Sequence, residues 1–261
     1  MKRTHDRIRY SELMLRILDL DMDFFVTEVA HHCDPDGPRL DSGEYPPWDL
    51  ESAVRFLEER CLLSQEHTLP GACVENHGEL FWLWRELLES HKLTAPFDLT
   101  HVDAHADVGL GDASYVYIVE ELMHLPPELR TNPKPGFSGL NDGSFLAFAC
   151  ACHWISSFTY VHHPSGGNDF LACHMKDFDP CADALQFVAF AEGEVLDTFH
   201  SPQKATPVTA ASLIPLRRAL PGEYIAEAPF DFVFLSRSPA FTPPECDHLF
   251  ELIKERYVHA I

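Results

Sequence analysis

Positive charge is scarce in this chain. Its 261 residues hold 19 Lys and Arg against 41 Asp and Glu, a formal net charge of −22. Such an excess of acid repels a phosphate backbone and argues against nucleic acid as the main partner. It permits steering of a cationic substrate, with solubility alone as the plain alternative. Also missing is any apolar run of the roughly 20 residues that a membrane span needs. The basic start, MKRTHDRIRY, is followed by no signal-peptide core and small-residue cleavage site, so the sequence reads as cytoplasmic. No repeat or low-complexity tract stands out. The eight cysteines (Cys33, Cys61, Cys73, Cys150, Cys152, Cys173, Cys181 and Cys246) are scattered and read as reduced thiols, not as a disulfide framework. Hydrophobic residues make up 46% of the chain, which is globular composition. The length is near the limit for one core, so residues 1–261 are read as a single domain.

Strand and helix signals alternate along the chain. Arg16–Phe25 (RILDLDMDFF) reads as a strand, Leu50–Leu63 as a helix and Gly71–His77 as a short strand. Leu80–Leu88 carries apolar residues at helical period, and Phe97–Val102 is a strand that feeds Asp103. Tyr115–Leu125 fits strand or helix, Arg130–Gly139 is turn-rich, and Ser144–Ile155 reads as a small apolar helix. Short strands are expected at Phe170–His174, Leu185–Phe190 and Asp231–Leu235, with a helix at Thr209–Ala219. A last helix spans Pro244–Arg256, with Thr242 as a possible cap. This order predicts an α/β three-layer sandwich around a mostly parallel central sheet. Ligands in such folds bind at the carboxyl ends of the strands, where Asp21, Asp23 and Asp103 fall.

Two segments carry chemistry. In His101–Asp107 (HVDAHAD), an extended backbone sends Asp103, His105 and Asp107 to one side. Asp19–Asp23 likewise puts Asp19, Asp21 and Asp23 on one face, among apolar neighbours that look buried. Crowded carboxylates are costly unless a cation neutralises them, so both segments point to metal. The plain alternatives are a hydrated loop for the first and a charged edge strand for the second.

Together these segments resemble the arginase and ureohydrolase superfamily. Val102–Asp107 (VDAHAD) matches its Asp-Ala-His-x-Asp motif. Glu75–Glu79 (ENHGE) is similar to a degenerate Gly-Gly-Asp-His motif, with His77 in the ligand place. LDLDMD fits the Ser-x-Asp-x-Asp motif if Asp19 replaces the serine and Asp21 and Asp23 are ligands. Asn141–Phe148 looks like the stretch around the catalytic histidine, with Asp142 in that histidine's place. The motif order departs from the family, because LDLDMD comes first here. Phe232–Glu245 (FVFLSRSPAFTPPE) resembles the tail of the family's aspartate segment, but its ligand places fall on Val233 and Leu235. A rearranged order, with the aspartates supplied from the N-terminus, reconciles these facts. It places the chain near a divergent branch that contains the peptide arginases of ribosomal-peptide biosynthesis.

The resemblance implies an arginase/deacetylase-like fold and two Mn2+ held by Asp21, Asp23, His77, Asp103, His105 and Asp107, with Asp103 and Asp21 bridging. Four carboxylates and two imidazoles suit manganese better than zinc. The implied reaction is hydrolysis of the guanidinium of arginine, in a peptide substrate by preference, to ornithine and urea. Asp142, His124 and His153 are the proton-donor candidates. Glu75 is the candidate for gripping the guanidinium, with an ordinary surface glutamate as the plain alternative. Cys150-x-Cys152-His153 fits a packed helix better than a metal site, and His162-His163 fits a loop. The rival functions are a zinc deacetylase or amidohydrolase on the same fold, a haloacid-dehalogenase-type phosphohydrolase built on Asp-x-Asp, and a non-catalytic peptide-binding module. The phosphohydrolase reading leaves VDAHAD without a purpose, and intact ligand positions count against the binding module.

Overall fold

The computed structural model describes residues 14–34, 37–109, 113–134, 139–166, 169–194, 206–209 and 212–261. Eight strands form one sheet: β1 (Arg16–Asp21), β2 (Leu69–Val74), β3 (Phe97–Asp103), β4 (Ile155–His162), β5 (Ala184–Phe187), β6 (Ser212–Ala219), β7 (Phe232–Ser236) and β8 (Val258–Ala260). Their order is β5-β6-β4-β3-β1-β7-β2-β8. Every pairing is parallel except β5 with β6. Among the described residues the α-helices are α1 (Leu50–Arg55), α2 (Glu79–Glu89), α3 (Ala113–Glu120), α4 (Phe145–Ala151) and α5 (Cys246–Tyr257).

A parallel sheet must be covered on both faces, and alternation along β1 and β7 shows how this is done. Ile17 and Phe234 join one core with Leu80, Phe81, Trp84 and Leu87 of α2 and the apolar α4. Leu18, Leu20, Val233 and Leu235 point the other way, toward Phe24, Phe25, Phe56 and the Leu249, Phe250 and Ile253 face of α5. The result is three layers. Cys150 and Cys152 are packed in the first core, as a buried apolar helix requires.

Several boundaries differ from the sequence reading. The first strand stops at Asp21, and Met22–Phe25 closes into a 3-10 turn. Thr209–Ala219 is not a helix: from Ser212 it is β6, and its alternating burial shows the period of a strand. Residues 210 and 211 lie outside the described residues, as do 135–138 of the turn-rich Arg130–Gly139 segment. Phe170–His174 is not a strand; Ala172–His174 forms a 3-10 turn. The Ser144–Ile155 helix ends at Ala151, and Ile155 opens β4. Tyr115–Leu125 is mainly α3 followed by a 3-10 turn, Leu122–His124. Glu245, not Thr242, precedes α5; the Thr242 hydroxyl instead donates to the Ser238 carbonyl at 3.0 Å.

Candidate metal centre

β1, β2 and β3 run parallel, so their carboxyl ends lie on one edge of the sheet. Asp21 closes β1, Asp103 closes β3, and the loop after β2 delivers His77. Asp23 comes from the turn after β1, and His105 and Asp107 from the bend after β3. The backbone of this bend is not extended. Asp107 sits at φ 52°, in the left-handed region that Asp tolerates better than most residues. Ser238, after β7, is held there too, at φ 46°. Strained backbone of this kind persists where surrounding contacts fix it, and functional sites are where it gathers.

The six residues converge. His77 Nδ1 lies 2.8 Å from Asp21 Oδ2, 3.0 Å from Asp103 Oδ2 and 3.0 Å from Asp107 Oδ2. None of these contacts has hydrogen-bond geometry, and His77 Nδ1 and Asp103 Oδ2 have no hydrogen-bond partner among the described residues. A metal–ligand bond of roughly 2.1 Å sets neighbouring ligands of an octahedron about 3.0 Å apart, so the spacing is that of atoms facing one ion. A second group adjoins it. His105 Nδ1 is 2.8 Å from Asp23 Oδ2 and 3.8 Å from Asp103 Oδ1. Asp103 therefore turns one oxygen to each group. The residues fit divalent metal: Asp21, His77 and Asp103 form one candidate set of ligands, and Asp23, Asp103 and His105 another.

Supporting contacts aim the carboxylates. Ser238 Oγ donates to Asp21 Oδ2 at 2.5 Å, and the Asp23 amide donates to Asp21 Oδ1 at 3.0 Å. The Ala104 amide donates to Asp23 Oδ1 at 3.2 Å. Protonation reflects the crowding. Burial, together with the charge of Asp23, pushes Asp21 up to about 6. Burial and the carboxylates of Asp23, Asp107 and Asp21 raise Asp103 well above the carboxylate range. Burial lowers His77, but Asp19 and Asp21 outweigh it and hold the imidazole well above its usual range. For His105, Asp23 overcomes burial and lifts it to about 10. Asp19 also feels burial, but His77 and His101 bring it down to about 2. Carboxyls raised in this way are the groups that a nearby cation would bring down.

A cavity of about 320 Å³ opens over the cluster. Asp142 lines it; Oδ1 accepts the Gly78 amide at 2.8 Å, and burial raises its carboxyl. Gly78 permits that approach, because a Cβ there would lie 3.0 Å from Asp142 Oδ1 and from the backbone of residues 141 and 142. The other three candidates stand elsewhere. Glu75 is exposed and pairs with Arg237 at 3.1 Å. His153 is exposed beyond α4, beside Arg130, and His124 bonds the Phe190 carbonyl at 2.7 Å. None of the three lines the cavity. The sequence reading missed Asp169, His31, His32 and Phe241, which do line it. Of these, Asp169, His31 and His32 lie outside the motifs that the sequence offers. The Asp169 carboxyl is raised by burial, against the pull of His105 and His31.

The fold and site define an α/β protein with a buried Asp/His cluster able to hold metal at the carboxyl edge of a mostly parallel sheet. Comparison with protein-family models, with curated proteins and with solved structures finds no match. No helix among the described residues is long and apolar enough to cross a membrane.

Proposed function

We propose that this chain is a manganese-dependent hydrolase that cleaves the guanidinium group of arginine, by preference in a peptide, to give ornithine and urea. One observation carries the reading: Asp103 splits its two oxygens between a His77-centred and a His105-centred group. That is the arrangement a shared ligand of two ions needs. The two ions, when bound, would supply Lewis acidity and a water acidified enough to act as nucleophile at neutral pH.

The chain's own residues account for the rest. Hydrolysis breaks the bond between the guanidinium carbon and the side-chain nitrogen. The carbon leaves with the oxygen of water, as urea, and the nitrogen leaves as an amine that must gain a proton. Asp142 faces the cavity with one oxygen tied to the Gly78 amide, and its raised carboxyl can carry that proton. Asp169, half-buried across the same cavity, replaces Glu75 as the carboxylate offered to the cation. The chain's excess of 41 acidic over 19 basic residues favours a cationic substrate at long range.

The test is to load the protein with Mn2+ and incubate it with arginine peptides, free arginine and acetyl-lysine peptides. Urea release, with the mass loss of arginine-to-ornithine conversion, is the expected result. Turnover of acetyl-lysine peptides alone would replace this reading with a deacetylase.

A further inference from the structure

A histidine can present either ring nitrogen to a metal, and the hydrogen bond made by the other nitrogen decides which. At His77 that other partner is Asp19. His77 Nε2 donates to Asp19 Oδ1 at 3.0 Å, which leaves Nδ1 facing the carboxylates of Asp21, Asp103 and Asp107. Asp19 is itself held. Its second oxygen lies 2.9 Å from His101 Nδ1, and His101 Nε2 lies 3.0 Å from the His105 carbonyl oxygen. Asp19 and His101 are register partners on adjacent central strands, so sheet pairing fixes their separation. His101 also stacks on Tyr160, its register partner on the far side. Asp19 and His101 are wholly buried, and neither lines the cavity.

A continuous chain of contacts therefore runs from the His77 ring, through Asp19 and His101, to the backbone of His105. We propose that Asp19 and His101 are positioning residues: they lock His77 with Nδ1 toward the cluster and tie its place to that of the second histidine. The proposal rests on the reading of the cluster as a metal centre. A hydroxyl in place of Asp19 could not accept from both rings in this geometry, because each ring meets a different oxygen. Asp19, His77 and His101 also lie close enough to hold an ion themselves, and that reading makes Asp19 a ligand. The two assignments differ in what removal of Asp19 does to the number of ions bound.

The experiment compares the full chain with Asp19→Asn, His101→Gln and His77→Gln. Mn2+ content is measured by elemental analysis, affinity by calorimetric titration and folding by circular dichroism. Asp19→Asn should bind as many ions as the unaltered chain, with affinity lowered about 10–100-fold, the usual cost of losing a partner behind a metal-bound histidine. His101→Gln should show a smaller loss of the same kind, and His77→Gln should lose an ion. In the Zn2+-loaded chain, proton NMR should show the His77 Nε2–H protected from exchange, a signal that does not depend on any variant folding. The proposal is overturned if Asp19→Asn loses an ion, if its affinity stays within twofold of the unaltered chain, or if the His77 Nε2–H is absent. If the unaltered chain takes up no divalent ion, the metal centre itself falls and the positioning role with it. Ions bound normally with Asp19 altered would remove the positioning role alone.

Discussion

Removing metal should reverse the way stability depends on pH. The unfolded Asp21 side chain titrates at 3.8 and the folded one at about 6. Below pH 4 both states hold the proton, and the stability associated with it is fully present. Between pH 4 and 6 the folded chain keeps a proton that the unfolded chain has lost, so stability falls as pH rises. Holding that proton up to about pH 6 is worth about 3 kcal/mol, all of it gone above pH 6. Asp103 is raised further and pushes the same way. His77 and His105 continue the trend: their contribution is full below pH 6.5 and is lost toward about 10 for His105. With EDTA, the melting temperature should therefore drop by about 6–12 °C between pH 4 and 6, at about 2–4 °C per kcal/mol for a domain of this size. Saturating Mn2+ should invert the slope, because the ligands must lose their protons to bind it. At a hundredfold excess over the dissociation constant, each ion adds about 2.7 kcal/mol. The assay is a set of thermal melts from pH 4 to 8, with EDTA or with Mn2+. Parallel curves for the two conditions would refute the reasoning, because they would mean that protons and metal do not compete for these side chains.

Asp103→Asn should be more damaging than His77→Asn, since Asp103 faces both groups and His77 only one; metal content and urea release under saturating Mn2+ decide it, and near-normal values for Asp103→Asn would remove the bridging role. Asp169→Asn should raise KM for an arginine peptide about 10–100-fold through loss of a charge-assisted hydrogen bond, whereas Glu75→Gln, whose partner is Arg237, should leave it within twofold. Gly71→Ala should cost about 3 kcal/mol or more in urea denaturation, because the new Cβ would lie 1.7 Å from the Val233 carbonyl oxygen of the neighbouring strand.

How much of this was legible in the sequence depended on local pattern. VDAHAD and LDLDMD announced themselves because acids at the end of apolar strands are costly without a counterion. His77 came only by motif, and its place follows from β2 lying two strands from β1. Element type failed where period was ambiguous. Arg217 and Arg218, side by side, break the apolar alternation of β6 in the sequence, though its burial alternates once folded. Ile155–His162 was hidden behind an apolar helix with only a short turn between them. Asp169 and the Asp19–His101 pair were out of reach for a different reason. Their roles depend on register and on a loop crossing the edge of the sheet, neither of which a linear pattern contains.

The topology explains how β1 supplies an aspartate to the cluster while its neighbour β7 supplies none. The two strands are parallel neighbours, with Leu20 opposite Leu235 and Asp21 opposite Ser236. On β7, Val233 and Leu235 fall on the apolar face shared with Leu18 and Leu20, so carboxylates there would enter a core and not the cluster. The loop that follows β7 still reaches the site. Ser236 and Ser238 are 2.9 Å apart at their hydroxyls, and Ser238 donates to Asp21. Phe241, at the end of the Pro239–Phe241 turn, packs against the His105 ring at 5.3 Å and lines the cavity. The segment after β7 thus helps to hold the aspartate contributed by the neighbouring strand. Replacing Val233 or Leu235 with Asp would not supply a ligand: it would bury a charge in the core that holds Phe250 and Ile253, on the wrong face of the sheet.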